Sequence, residues 1–178
     1  MSIRRLVTGV DEHGRSTVTQ DGPTPGHIEL GRATYDELWA SESLPPSLTG
    51  VTDPADVEHA VLAPVSGGVK WRVVTFAPVR EVQQLTDEQV AEAREHFDDD
   101  GVMRDYRSGW HTTHSIDFAV VLSGEIDLHL DTQTVRLHAG DSIVQRGTAH
   151  AWSNPGTEPC AISFVLISAD PPPVQLTD

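Results

Sequence analysis

From residue 116 onward the chain is written almost wholly in strand periodicity, and that restricts its fold more than any other feature. Glu125-Ile-Asp-Leu-His-Leu130 and Thr134-Val-Arg-Leu-His138 alternate strictly between apolar and polar residues, with Asp131-Thr-Gln133 between them. A period of two sends successive side chains to opposite faces. Ile126, Leu128, Leu130, Val135 and Leu137 therefore share one face, and Asp127, His129, Arg136 and His138 share the other, turned to solvent or to a partner. Ile116 to Leu122 is a nearly continuous apolar run. Ser142–Val144, His150–Trp152 and Ala161–Ile167 supply further strands, punctuated by Gly140, Gly147 and Pro155-Gly156. Many short strands between closely spaced turns predict an all-β sandwich or barrel.

The first part of the chain is patterned less clearly. Arg4 to Val10, the turn cluster Asp11–Gly14 and Ser16–Gln20 read as a hairpin, and Asp21-Gly-Pro-Thr-Pro-Gly26 breaks it. Pro45, Pro46, Gly50 and Pro54 mark Ser41 to Pro54 as a surface excursion, and Trp71–Phe76 reads as a strand. One helix is predicted. Thr86 as N-cap with Gln89 forms a capping box, Leu85 and Val90 a hydrophobic staple, and Val90, Ala93 and Phe97 one apolar face, before Asp98–Gly101 ends the helix. The expected organisation is an N-terminal hairpin with an irregular extension packed on the barrel (residues 1–69), a barrel (70–168) and a C-terminal tail (169–178).

Charge limits the partners. With 12 Lys and Arg against 27 Asp and Glu, the net charge is −15, which opposes approach to phosphate backbones and anionic membranes. No apolar stretch has the length of a signal peptide or a membrane span, so a cytoplasmic protein is expected. The single Cys, Cys160, precedes an apolar strand and reads as a buried filler. No phosphate-cradling Gly-rich loop and no Gly-x-Ser-x-Gly elbow is present. A metal would have to rest on imidazole and carboxylate donors brought together from separate segments.

Two segments offer such donors: Trp110-His-Thr-Thr-His-Ser-Ile-Asp117 and Gln145-Arg-Gly-Thr-Ala-His-Ala-Trp-Ser-Asn154. Over about residues 70 to 168 the chain resembles the cupin superfamily. In that family's second motif Gly140, Gly147, His150 and Asn154 match, with Gln145 in place of Pro and one residue fewer after Gly140. In the first motif, counted back from Gly124, Asp117 falls on the Glu position, His111 on the first His and Thr113 on the second. The resemblance implies a double-stranded β-helix of jelly-roll type. It also implies a divalent transition metal (Fe, Mn, Zn or Ni) on His111, Asp117 and His150. Thr113 is no imidazole donor. His114 becomes a fourth donor only if the backbone bulges, since 111, 113 and 117 share a face.

A metal-free pocket is the alternative, with His111 and His150 as acid and base and Asp117 orienting one of them and raising its pKa. Trp152 shares the parity of His150 and is a candidate wall for an apolar substrate, with Asn154 beside it. Arg72, Arg104, Arg107 and Arg146 are candidate clamps for a substrate carboxylate. The implied activity is that of a small-molecule lyase, isomerase or dioxygenase acting on a small organic acid or aromatic. A metal-free dehydratase or cyclase and a non-catalytic ligand-binding module stand as alternatives. The N-terminal hairpin and the outward His129 and His138 favour a homodimer by sheet augmentation.

Overall fold

Strand alternation closes the chain into two antiparallel sheets whose apolar faces meet. A computed structural model describes residues 2–48, 55, 61–79, 85–96 and 102–170. The elements in chain order are β1 (Arg4–Val10), β2 (Ser16–Pro23), β3 (Gly26–Leu30), β4 (Ala33–Ser41), β5 (Val69–Phe76), α1 (Asp87–His96), β6 (Met103–Asp105), β7 (Trp110–His111), β8 (Ser115–Ser123), β9 (Glu125–Leu130), β10 (Thr134–His138), β11 (Ser142–Arg146), β12 (His150–Ser153) and β13 (Cys160–Ser168). One sheet has the order β11-β8-β13-β5-β4-β3 and the other β10-β9-β12-β7-β6; β1 and β2 form a separate hairpin. Strands distant in sequence lie side by side, with β13 between β8 and β5 and β12 between β9 and β7. This is the double-stranded β-helix that the sequence led us to expect.

The core lies between the sheets. Val74, Ala119, Val121, Ile126, Cys160, Ile162, Phe164 and Leu166 form one buried cluster. Cys160 is thus the buried filler expected of it. Full burial of side chains such as Ile126 and Ile162 stabilises the fold by about 2 kcal/mol each.

Residues 24–41 depart from the expectation of an irregular extension. Gly26–Leu30 and Ala33–Ser41 pair with each other, and β4 pairs with β5, so the barrel sheet continues across the boundary placed at residues 69 and 70. The polar side chains that hid these strands are satisfied by neighbours. Asp36 meets His27 Nδ1 at 2.7 Å, and Glu37 meets Arg72 at 2.8 Å across the ladder. A buried acid with a cross-strand cation is compatible with a central strand, although the alternation around it is lost. The hairpin also runs further than the turn residues suggested. β2 continues through Asp21, Gly22 and Pro23, with Arg4 paired to Asp21 at 2.7 Å and Pro23 at the strand end, where its missing N–H costs no ladder bond.

α1 starts after Thr86 as predicted, and the Val90 N–H donates to the Thr86 carbonyl at 2.9 Å. Ala93 is buried beside Ile28, Leu30, Tyr35, Leu62 and Tyr106, which seats the helix over the end of the barrel. The side chain of Gln89, Phe97 and the Asp98–Gly101 stop lie outside the described residues, as do residues 49–54 of the excursion and 171–178 of the tail.

The run Ile116–Leu122 holds a second departure. It lies in β8, but its two faces are reversed from ordinary expectation. Ser115, Asp117, Ala119 and Val121 point inward, while Ile116, Phe118, Val120 and Leu122 are exposed. The inward positions place a carboxylate in the barrel, and the outward ones leave an apolar stripe on the surface.

Candidate functional site in the barrel

The two histidines matched to the motifs are direct cross-strand neighbours, because β7 pairs with β12 at His111 and His150. Their rings stand 4.2 Å apart between centroids. Each ring is anchored in the same way two residues back along its own chain: His111 Nδ1 lies 2.8 Å from the Gly109 carbonyl and His150 Nδ1 2.8 Å from that of Thr148. A carbonyl only accepts, so both Nδ1 atoms carry the proton and both Nε2 atoms keep a lone pair. Burial holds both imidazoles neutral. It lowers the pKa of His111, and it brings His150 down to about 3, with the neighbouring His111 as the second cause. The pair is a fixed set of two acceptors, not a protonated acid beside a base.

Asp117 is the third polar group facing the cavity. Burial raises its pKa to about 6, against the lowering influence of the Ser115 hydroxyl and of Arg72. Ser115 Oγ lies 2.5 Å from Asp117 Oδ1 and 2.9 Å from Thr113 Oγ1, and its one proton goes to the carboxylate when Asp117 is ionised. The expectation that Asp117 orients a histidine and raises its pKa is therefore corrected. The partner of Asp117 is Ser115, each imidazole is oriented by a backbone carbonyl, and the histidine pKa values move down because desolvation dominates.

These groups line a cavity of about 140 Å³ whose walls include Val74, Phe76, Trp152, Phe164 and Leu166. Trp152 stands edge-on to His150 at 5.8 Å and to Phe164 at 5.9 Å, so it is a wall of the cavity as well as part of the core. Arg72 also faces the cavity. Its buried ion pair with Glu37, both side chains 3% exposed, and its bond to the Val61 carbonyl at 2.5 Å hold the guanidinium in place. Arg107 lines the mouth, bonded to Asp87 and to the Leu85 carbonyl.

Other candidates go elsewhere. His114 is exposed and does not line the cavity; β8 keeps strict alternation from Ser115, without the bulge that would turn His114 inward. Arg104 is exposed at 3.7 Å from Asp131, and Arg146 is exposed on β11. Asn154 is buried but structural. Its Nδ2 donates to the Phe76 and Glu158 carbonyls at 3.0 and 2.8 Å, and its Oδ1 accepts from the Gly156 N–H at 2.9 Å. His138 is exposed, whereas His129 is partly covered, with Nε2 2.7 Å from Ser153 Oγ. Arg32, in the β3–β4 turn, lines the cavity without having been a candidate, since nothing around Gly31-Arg32 in the sequence distinguishes it from a surface turn.

The donor set decides how well a metal fits. His111 and His150 present two free Nε2 atoms on rings held by their Nδ1 hydrogen bonds, as metal-ligating histidines are. Thr113 occupies the position where a further imidazole would stand, and no group of three or more His, Cys, Asp or Glu among the described residues is arranged to hold a metal ion. An open catalytic site of three protein ligands would need Asp117 beside the two imidazoles, and Asp117 is engaged by Ser115 instead. Among the described residues no helix is long and apolar enough to cross a membrane.

Comparison with known proteins agrees with the fold. The family profile described as Cupin domain matches residues 104–167. The phomopsin biosynthesis cluster protein C' of Diaporthe leptostromiformis is 31% identical over 94% of this chain and 79% of its own length. The cupin-domain-containing oxidoreductase virC of Hypocrea virens is 38% identical over 94% of this chain and 76% of its own. The Schizosaccharomyces pombe Cnp3 cupin domain, a solved structure, is 11% identical, covering 94% of this chain and 89% of that one, with a TM-score of 0.46. With two relatives above 30% identity along most of their length, and the motif histidines side by side inside the barrel, the chain belongs to the cupin family.

Proposed function

We propose that this cupin carries out proton-transfer chemistry, an isomerisation, dehydration or cyclisation, on a small and largely apolar molecule in a biosynthetic route. One observation carries the reading: the paired, neutral His111 and His150, each with a free Nε2, share the cavity with a buried carboxyl whose pKa is about 6. A base works best with a pKa near the working pH. Asp117 has that value and His150, at about 3, does not. Asp117 removes a proton from a carbon beside a carbonyl and returns it to another carbon or to the departing oxygen, the Arg72 guanidinium stabilises the enolate oxyanion between the two steps, and one Nε2 accepts from a substrate hydroxyl to hold it in register. Relatives named for biosynthetic clusters support the small-molecule setting.

The metal-dependent reading, with Fe, Mn, Zn or Ni on His111, Asp117 and His150, draws support from relatives named oxidoreductases and from the anchored Nδ1 atoms. One measurement separates the two. Untagged protein reconstituted with each ion and desalted is expected to retain under about 0.1 equivalent, as follows from two imidazoles with Asp117 held by Ser115. Stoichiometric metal that is lost in His150→Ala overturns the proton-transfer reading in favour of the metal.

Assembly belongs to the same proposal: two copies pair through the outer face of the six-stranded sheet. Leaving out Val73, which is already buried, the outward positions of β5, β8 and β13 (69, 71, 75; 116, 118, 120, 122; 161, 163, 165, 167) hold no charged residue, in a chain with 39 charged residues among 178. Val144, Phe118, Val165, Trp71 and Trp39 form one row across five strands, with Val144 58% and Phe118 49% exposed. The exposed apolar side chains amount to roughly 700 Å² per copy, close to the half-share of a standard interface. A neutral patch is also where two chains of charge −15 approach at least cost. Sedimentation is expected to show a dimer at micromolar concentration.

A further inference from the structure

The cavity has a charged mouth that proton transfer at its floor does not use. Arg32 follows Gly31 in the β3–β4 turn, where Gly31 takes a φ of 57° that suits glycine. The Arg32 side chain lines the cavity, and its Nη2 donates to the Arg107 carbonyl at 2.9 Å. Its Nε is buried with no hydrogen-bond acceptor among the described residues. No described carboxylate forms an ion pair with it, whereas Arg72 is paired with Glu37 and Arg107 with Asp87. Arg32 is thus the lining arginine whose charge no described residue compensates.

The sealed Nε is out of a ligand's reach, so the ends of the guanidinium are what a ligand in the cavity can meet, and a lining arginine that faces no described carboxylate leaves the ligand to bring the anion. Nη1 bonds to none of the described residues and Nη2 has a second N–H besides the one given to Arg107, so the two present an end-on pair with the spacing of the two oxygens of a carboxylate. The same cavity is lined by apolar and aromatic side chains, Tyr35, Phe76 and Trp152 among them. We propose that Arg32 is the carboxylate-binding subsite of the cavity, and that the substrate is a monocarboxylate with an apolar or aromatic body. Resting on the proton-transfer reading, this places the carboxylate at Arg32 and the reacting end of the molecule at Asp117, His111 and His150.

Binding, measured without turnover, tests the subsite. Calorimetric titrations of the full chain compare 3-phenylpropanoate with 3-phenylpropanamide and cinnamate with cinnamamide, each acid against its uncharged isostere. The expected result is at least tenfold tighter binding of an acid than of its amide, a preference abolished in Arg32→Gln with the amide affinity unchanged and partly kept in Arg32→Lys. Asp117→Asn, which removes the base, keeps the preference. Equal affinity for acid and amide in both pairs, including no binding of either, overturns the subsite, and so does a preference that survives in Arg32→Gln. Preference without any exchange of carbon-bound hydrogen in D₂O overturns the proton-transfer reading alone and leaves the subsite standing.

Discussion

The two faces of β8 are completed differently. Ser115 and Asp117 point into the barrel, while Ile116, Phe118, Val120 and Leu122, the residues that make the segment look like core, point out. A polar residue inside and an apolar one outside each carry a cost unless something completes the environment. Inside, the Ser115 hydroxyl bonds the carboxylate while burial lifts its pKa to about 6, and in the proposed function a small molecule completes the pocket. Outside, in the proposed assembly, the completing group is the same apolar face of a second copy. Burial as such does not separate function from packing on this strand; the mismatch between a residue and its surroundings does.

Substitutions on the two faces should break that comparison in different ways. The largest effect is expected inside: Asp117→Asn keeps the shape and the Ser115 contact but removes the base, and turnover should fall by about 100-fold or more, as loss of general base catalysis does. A steady-state assay, or exchange of carbon-bound hydrogen followed by NMR, reads this; an undiminished rate would remove Asp117 from the chemistry. Next comes the outer face. Phe118→Glu places a charge in the apolar row, and sedimentation should show the dimer dissociating by at least about tenfold in Kd, since a desolvated unpaired charge costs more than 1.4 kcal/mol. A variant that stays dimeric at the same concentration would move the interface elsewhere.

Stability against pH sharpens the same contrast. Folding raises Asp117 from 3.8 to about 6, so between those values the folded chain keeps a proton that the unfolded chain has released. This group therefore contributes less stability as pH rises through that window, by roughly 3 kcal/mol once pH exceeds 6. His150, lowered from 6.5 to about 3, acts in the opposite sense and loses stability as pH falls. The difference between wild type and Asp117→Asn isolates the carboxyl. The variant should be the more stable by that amount at pH 7.5 and equal near pH 4, in denaturant titrations at each pH. The smallest effects come from two neighbours on the strand. Val121→Ala, at a residue 1% exposed, should cost about 1–3 kcal/mol, and Val120→Ala, at 41%, under about 0.5 kcal/mol in the monomer. Equal costs would mean that the outer face is packed already.

Particular residues explain which parts of the fold and the site are legible in the sequence. The alternation of β9 and β10 is local, and it assigns Ile126 and Leu128 to the core and His138 to the surface correctly. The resemblance to the second cupin motif at Gly147 and His150 implies a histidine in the barrel, where His150 is found. β3 and β4 are not legible, because Asp36 and Glu37 read as loop residues until His27 and Arg72 are seen beside them. Arg104 and Arg107 stand three residues apart, yet one lies outside the cavity and the other at its mouth. Proximity in the chain does not choose between them.

Sequence periodicity therefore determined an all-β sandwich or barrel, and the resemblance to the cupin motifs added that His111, Asp117 and His150 lie in its interior. Both properties are short-range, and side-chain alternation transmits them directly to the faces of a sheet. Tertiary structure decided the rest. It anchored both Nδ1 atoms on backbone carbonyls, gave Asp117 to Ser115 instead of a histidine, turned His114 to solvent and brought Arg32 to the Arg107 carbonyl, 75 residues away along the chain. Those outcomes depend on which distant strands and turns meet and on how much water is excluded where they do. A desolvated carboxyl and a neutral pair of imidazoles are products of that exclusion, and no residue's own identity specifies it.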